Sequence, residues 1–265
     1  MEILEQMTKS LSVVLITHNA QTVIEECLRT VTWANEIIVL DNNSRDETRL
    51  IARRLGAQVY QSNDWPGFGI QRQRAQQYAR GDYILVVDAD ERVTPELKAS
   101  ITEMLSQPDR ANIVYACARK NFFLNTFLRY SSGYPDWIVR LYPRHYQYSD
   151  DIVHESLNYG SASVVYLTGD LHHLTAIDLN VFQQKQLRYA QDWAIQRAKT
   201  GKKVSLFSAF AHALIAFIRI GVLKRGFLEG EFGWLMATIT AQYTFNKYAA
   251  LWILQRATKK NRFSN

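Results

Sequence analysis

The sequence predicts an α/β protein, with a Rossmann-like, mostly parallel sheet over residues 1–178 and a basic, membrane-associating helical extension over 179–265. Three observations carry that expectation. Apolar runs of strand length alternate with helical patterns through the first half, the spacing that builds βαβ units. One run, Tyr83-Ile84-Leu85-Val86-Val87, goes straight into Asp88-Ala89-Asp90-Glu91. A continuous apolar run is a strand buried on both faces, and ligands of open α/β sheets gather beyond the carboxyl ends of such strands. The charge, finally, is divided. From Leu179 onward there are 14 Lys and Arg against 3 Asp and Glu, a net +11, whereas the residues before it carry 17 against 22, a net −5.

Taken in order, Leu11 to Ile16 is the first buried strand, Thr17-His18-Asn19 is the loop after it, and Val23 to Val31 has helical spacing. Glu36 to Leu40 is the second strand, ending on Asp41-Asn42-Asn43-Ser44-Arg45-Asp46-Glu47-Thr48. A helix from Thr48 to Leu55 follows, with Gly56 at its C-cap. Ala57 to Gln61 is a third strand, Gly67-Phe68-Gly69 a short flexible loop, and a helix through Gln71 to Ala79 leads into the strand before Asp88. Pro95 to Leu105 is a helix with proline in its first turn, and Ile113 to Ala118 is another strand. The stretch from Phe122 to Tyr148 is aromatic-rich and irregular.

At 265 residues and 47% hydrophobic content, the chain can bury one full core with a smaller appendage. Cys27 and Cys117 are too few for a disulfide scaffold, and they are not spaced for zinc. Met1-Glu2-Ile3-Leu4-Glu5-Gln6 has neither the basic start nor the apolar core of a signal peptide, so a cytoplasmic location is expected. Neither G-x-G-x-x-G nor G-x-x-x-x-G-K-[ST] occurs, which argues against dinucleotide and P-loop sites. The positive charge comes without an RNA- or DNA-binding motif, so no nucleic-acid partner is expected.

Asp88 and Asp90 are alternate residues of an extended segment and can face one ligand while Ala89 turns away. Two hard oxygen donors at a strand end suit Mg²⁺ or Mn²⁺ bridging to phosphate, although an isolated Asp-x-Asp also simply ends a strand in a polar loop. Asp41 can accept hydrogen bonds from a ribose or base, or cap the helix behind it. Downstream, Asp136, Asp150, Asp151, Glu155 and Asp170 are the candidates for a general base. Glu155 follows Ile152-Val153 and precedes Leu157; a carboxyl emerging from an apolar wall has its pKa raised toward working pH. The alternative is a glutamate held in an ion pair. Asp136, after Pro135 in the aromatic loop, could instead orient an acceptor. Of the adjacent His172 and His173, either is structural or a metal ligand.

In this order, Leu11-Ser12-Val13-Val14-Leu15-Ile16-Thr17-His18-Asn19, Asp41 to Thr48 and Asp88-Ala89-Asp90-Glu91 resemble the motifs of family 2 glycosyltransferases with the GT-A fold. Further segments narrow the resemblance to lipopolysaccharide core β-1,4-glucosyltransferases acting on an inner-core heptose. They are Trp33-Ala34-Asn35-Glu36, Phe68-Gly69-Ile70-Gln71-Arg72, Gly133-Tyr134-Pro135-Asp136, Arg140-Leu141-Tyr142, Val153-His154-Glu155 and Lys224-Arg225-Gly226-Phe227-Leu228-Glu229-Gly230. Gln73 departs from an asparagine common in the family, and the Q-x-x-R-W motif of processive synthases is absent, implying one sugar per acceptor.

The resemblance implies an inverting, metal-dependent hexosyltransferase moving glucose from UDP-glucose to a lipid-linked saccharide. Thr17, Asn19, Asp41, Arg72 and Asp88 would bind the nucleotide-sugar donor. Asp90, Asp88 and His173 would hold Mn²⁺ or Mg²⁺, and Glu155 would be the base, with Asp136 beside it. ADP-heptose or another UDP-hexose stays open as donor. A nucleotidyltransferase shares the sheet and acidic site but carries a Gly-rich basic loop where this chain has Thr17-His18-Asn19-Ala20. A degenerate membrane-surface binding protein is the non-enzymatic alternative.

In the extension, Val204 to Ile218 is apolar but shorter than the roughly 20 residues a bilayer span needs. Phe232 to Phe245 carries Trp234, Leu235, Met236, Ile239 and Tyr243. With Lys202, Lys203, Lys224, Arg225, Lys247, Lys259 and Lys260 around them, both stretches fit helices lying on the anionic inner face of the cell membrane. The alternative is a helical cap packed on the sheet.

Overall fold

The computed structural model describes residues 9–108, 112–151, 155–201 and 203–262, with side chains as far as Arg256. Met1 to Gln6, Ile152, Val153, His154, Lys202 and the side chains of Lys259 and Lys260 lie outside the described residues. The chain forms two compact units, Met1–Lys120 with Pro135–His173, and Asn121–Tyr134 with Leu174–Asn265. The segment 121–134, placed by sequence with the sheet, is thus grouped with the C-terminal helices.

The first half runs β1 (Leu11–Thr17), α1 (Ile24–Arg29), β2 (Glu36–Asp41), α2 (Thr48–Arg54), β3 (Gln58–Gln61), α3 (Phe68–Gln76), β4 (Tyr83–Val86), β5 (Glu91–Val93) and α4 (Pro95–Ser106). Then come β6 (Ile113–Phe123), β7 (Thr126–Phe127), β8 (Asp136–Pro143), β9 (Gln147–Tyr148), β10 (Leu157–Asn158) and β11 (Ser163–Ala176). The helices α5 (Leu179–Ala198), α6 (Leu206–Ile218) and α7 (Gly230–Arg262) complete the chain.

The sheet order is β3-β2-β1-β4-β8-β6-β11-β5. The first four strands pair in parallel; β8 joins β4 antiparallel, β6 joins β8 antiparallel, and β5 joins β11 antiparallel. This is the mixed α/β sheet of a GT-A fold. β1 lies inside it and is covered on both faces, which is why Val13 to Ile16 is an unbroken apolar run and even Ser12 is buried. Val13 and Leu15 pack with Ile24 and Leu28 of α1 and Leu97 and Ile101 of α4. Val14 packs on the other face with Ala75 of α3, Tyr142 and Tyr148.

Local chemistry sets the ends. Thr94 caps α4 by accepting from Leu97 N, with Pro95 in the first turn, as its sequence predicts. Gly56, at φ +84°, closes α2. The helix α3 begins at Phe68, because Gly67 enters it at φ +119°. Gly67-Phe68-Gly69 is therefore the entry and first turn of a helix and not a flexible loop. A Cβ on Gly69 would lie 2.0 Å from the Ser149 carbonyl oxygen, so only glycine lets the loop at 149–151 lie against α3. Gln73 fastens the same loop, donating to Tyr148 O and Asp150 Oδ1, both at 2.7 Å.

In the second unit α7 packs along α5 and α6. Ile239 of α7 is buried with Phe123, Leu128 and Phe182, and Phe232, Leu235 and Met236, partly buried, pack against them. The stretch 232–245 is mostly half-buried, with Ala237 and Ile239 buried and Trp234, Thr238 and Gln242 exposed. Between α6 and α7 come a π-helical turn, Arg219–Leu223, and a tight turn, Gly226–Glu229. Glu229 grips the segment before Gly133, accepting from Tyr130 N at 2.6 Å, Ser131 N at 3.2 Å and the Ser131 hydroxyl.

Candidate active site

The loops after β1 and β2 are sewn together at the carboxyl ends of the parallel strands. Asp41 is fully buried; one carboxylate oxygen accepts from Ser44 N at 2.9 Å, the other from Thr17 Oγ1 at 3.2 Å and from the Ser44 hydroxyl. Arg49 Nε stands 3.6 Å away. Asp41 does not cap α2, whose N-cap is Glu47. Asn19, at φ +48°, spans the loops: its N–H donates to Ser44 Oγ at 2.8 Å and its side-chain oxygen accepts from Arg45 N at 2.8 Å. His18 Nδ1 lies 2.6 Å from the Asn42 carbonyl, which can only accept, so Nδ1 carries the proton and Nε2 accepts from the Asn19 amide at 3.1 Å. Thr17, Asn19 and Asp41 therefore meet in one hydrogen-bonded shelf.

Beyond β4 the chain turns at once, Glu91 N donating to Asp88 O at 2.9 Å, so residues 88–91 are a turn and not extended backbone. The turn breaks the alternation that extended backbone would have imposed. Asp88 points at two arginines. Its Oδ1 accepts from Arg72 Nη2 at 2.8 Å and its Oδ2 from Arg140 Nη2 at 2.7 Å. Arg140 Nη2 also reaches Glu91 Oε1 at 2.8 Å, and Arg72 Nε reaches Glu155 Oε1 at 3.0 Å. Glu155, Arg72, Asp88, Arg140 and Glu91 thus form a ladder of alternating charge. Tyr148 lies over the Arg72 guanidinium, 5.4 Å from ring centroid to carbon.

Burial alone would raise the Asp88 pKa, but Arg140 and Arg72 outweigh it and hold the carboxyl well below the usual range. For Glu91 burial prevails over the pull of Arg140, and its pKa is raised. Two donors of the ladder, Arg72 Nη1 and Arg140 Nε, are buried without a hydrogen-bond partner among the described residues. Asp88, its side chain 28% exposed, holds the two arginines in this arrangement.

Asp90 faces His173, with 3.5 Å between Oδ2 and Nε2. The strand pair β5–β11 brings them together, since His173 stands opposite Glu91. His172, opposite Arg92, points to the other face; burial and then Lys120 lower its pKa. A carboxylate oxygen and an imidazole nitrogen at one point fit a divalent cation. Among the described residues no group of three or more His, Cys, Asp or Glu side chains could hold one, so diphosphate oxygens and water would complete its shell.

Asp136 lies apart from this cluster. It stands opposite Arg119 across β6–β8 and accepts from Arg119 Nε at 2.9 Å and Nη2 at 2.7 Å. Asp150 is taken by Gln73, Asp151 by the Ser149 hydroxyl at 2.7 Å, and Asp170 lies 4.0 Å from Lys120.

The sequence reasoning missed the roles of Arg140 and Glu91. Tyr115 pairs with Leu141 but Ala116 with Val139, so Arg140 is the extra residue of a β-bulge. Bulges re-aim side chains next to active sites. A lone arginine inside Ile138-Val139-Arg140-Leu141-Tyr142 was the available signal: a charge in a strand core must find a carboxylate.

The chain is similar to several known proteins. Residues 12–165 match the family described as Glycosyl transferase family 2. An uncharacterized glycosyltransferase of Rickettsia bellii is 28% identical over 259 residues, covering 93% of this chain and 87% of its own. The lipopolysaccharide core biosynthesis glycosyltransferase LpsC of Rhizobium meliloti is 24% identical over 257 residues, 90% of this chain and 93% of its own. Among solved structures, S. aureus TarS 1-349 in complex with UDP aligns over 94% of this chain and 92% of its own, at 13% identity and a TM-score of 0.48.

Proposed function

The chain belongs to glycosyltransferase family 2, and we propose that it is an inverting, metal-dependent hexosyltransferase moving glucose from UDP-glucose to a lipid-linked inner-core saccharide of lipopolysaccharide. The observation that carries the reading is the Asp90–His173 pair at the end of the central strands, beside a ladder that ends on Glu155. The core-biosynthesis name of LpsC supports the acceptor class.

Each residue then has a task. The Thr17–Asn19–Asp41 shelf seats the nucleoside, with Asp41 shaping the loop that touches it. Arg72, whose charge is never lost, offers its unpartnered Nη1 to the diphosphate. A divalent cation held by Asp90 and His173 would supply positive charge to the leaving diphosphate. Glu155 uses only Oε1 on Arg72; its Oε2 has no hydrogen-bond partner among the described residues and takes the acceptor hydroxyl's proton. As the acceptor oxygen forms its bond to C1 from the opposite face, the bond from C1 to the diphosphate oxygen breaks and UDP leaves with the electron pair.

The test is a donor screen of UDP-glucose, other UDP-hexoses and ADP-heptose, with Mn²⁺ or Mg²⁺, reading donor hydrolysis and the anomer formed. UDP-glucose turnover that needs metal and yields a β-linked product supports the reading. Glu155→Gln should keep donor binding and lose roughly 10²–10⁴ in kcat. Asp90→Asn should fold normally and lose transfer. Unchanged turnover in either variant would overturn its assigned role, and unchanged Mn²⁺ dependence in His173→Ala would return that histidine to a structural part.

A further inference from the structure

The helix α6 and the turns after it expose a continuous apolar face. Phe207, Phe210, Leu214, Ile218, Val222 and Leu223 are all exposed, Phe207 to 79% and Leu223 to 73%. Phe207, Phe210, Leu214 and Ile218, spaced by three and four residues, lie on one side of α6, and Val222 and Leu223 follow in the π-helical turn. Phe227 and Leu228 extend the exposed apolar surface beyond it. The opposite side, through Ala209, Ala216 and Ile220, is buried. No acidic residue occurs between Asp192 and Glu229, a stretch holding seven Lys and Arg. Glu229 itself is occupied by the amides of Tyr130 and Ser131.

We propose that this face is a monotopic membrane seat: α6 lies in the plane of one anionic leaflet, its apolar side in the acyl boundary and Arg219, Lys224 and Arg225 among the headgroup phosphates. This deepens the proposed function, which places the acceptor on a lipid. Three arguments choose this occupant. A patch this apolar with a basic margin matches an anionic interface, where each Lys or Arg near the surface adds about fivefold to binding.

A second copy of the chain fits poorly. Two-fold pairing of the face with itself sets the Lys203 end against the Lys224–Arg225 end, or one basic end against the other, and both arrangements repel. A spanning helix fits poorly too. The apolar window Leu206–Leu223, 18 residues and about 27 Å of helix, is long enough by length and composition to cross, but it carries Arg219 and ends in a π-helical turn. Its inner side is also packed on α7, which carries Gln242, Asn246 and Lys247.

Cysteines placed singly at Phe207, Leu214 and Leu223 of the full chain, each carrying an environment-sensitive fluorophore, test the seat. Cys27 and Cys117 are buried, the thiol of Cys117 pushed up to about 12 by burial, so they stay unlabelled. With vesicles containing phosphatidylglycerol, all three labels should move to an apolar environment at equal, shallow quencher depth. With phosphatidylcholine alone they should barely respond. Arg219→Gln, Lys224→Gln and Arg225→Gln together should weaken vesicle binding roughly a hundredfold.

No response to anionic vesicles, equal binding to both vesicle types, or a depth gradient from 207 to 223 would overturn the proposal. So would a lipid-free dimer that the Phe207→Cys or Leu214→Cys substitution dissolves. Donor hydrolysis in solution separates the two readings. A failed seat with hydrolysis intact leaves the transferase standing, and lost hydrolysis with vesicle binding intact does the reverse.

Discussion

In the first unit some of the least exposed side chains are charged, Arg72, Arg140 and Glu91 among them; in the second, some of the most exposed are Phe207, Leu214 and Leu223. Both depart from the usual partition, in which a buried charge or a large exposed apolar patch is the informative feature. The departures are resolved differently. The ladder answers each buried charge with an opposite one 2.7–3.0 Å away inside the same unit. Apart from Phe210, which meets Phe245 at 5.0 Å between ring centroids, the apolar face of α6 stays exposed among the described residues. Buried charge that is satisfied internally fixes groups in place, as a catalytic site requires. Apolar surface left unsatisfied points to something outside the chain.

The largest expected effect breaks the first half of this contrast. Arg140→Met leaves the buried Glu91 without its counter-charge and takes one of the two arginines from Asp88, and removing one partner of a buried pair costs about 3–5 kcal/mol. Denaturant unfolding should report a loss of that size. Arg140→Lys should fall between, because a point ammonium cannot fork between two carboxylates. A loss under about 1 kcal/mol for Arg140→Met would mean that the ladder is not held by its charges.

A smaller effect sharpens it. At the other end of the parallel strands Glu36 accepts from Ser12 Oγ at 2.6 Å and from Arg80 N at 2.5 Å, and Asp82 accepts from Ser10 Oγ at 2.7 Å and Ser10 N at 2.9 Å. Burial would raise the Glu36 pKa, but the bonds from Ser12, Arg80 and Gly81 outweigh it; for Asp82 the bonds from Ser10 lead. Both pKa values lie below their ordinary values of 4.5 and 3.8. A depressed carboxyl takes its proton later in the folded than in the unfolded chain, so its contribution is complete above the unfolded value and lost as pH falls through the folded one. The melting temperature should therefore drop between about pH 5 and pH 3. Glu36→Gln should start lower at neutral pH and show a shallower acid slope. An unchanged slope would show that these bonds do not stabilise the charged form.

How much of this was legible in the sequence follows from what each residue type announces locally. β1, β2 and β4 were read nearly to the residue because strands covered on both faces leave unbroken apolar runs. The strand β5 was not, since Glu91-Arg92-Val93 has no such run and exists by pairing with β11. Asp90 and His173 were named together, yet their 3.5 Å approach depends on that same long-range pairing. The turn at 88–91 replaces the extended geometry expected there, and Asp88 meets Arg72 and Arg140. Asn35 and Glu36, quoted as part of a family motif, turn out to fasten the start of β1: Asn35 accepts from Leu11 N at 2.7 Å. A motif states that residues matter without stating whether they hold substrate or backbone.

The smallest expected effect tests the second half of the contrast. Leu214 is 61% exposed, so Leu214→Gln removes little apolar area from the folded interior. Glutamine and leucine have similar helix propensity, which keeps the backbone term small. The stability of the lipid-free protein should stay within about 0.5 kcal/mol of the parent. Leu85→Ala, at a fully buried site of β4, should lose about 2–5 kcal/mol in the same assay. The contrast is sharpest if the order reverses on vesicles, with Leu214→Gln the variant that loses binding while the folded Leu85→Ala protein keeps it. A loss of about 2 kcal/mol or more for Leu214→Gln in the absence of lipid would show that the folded chain already covers this face.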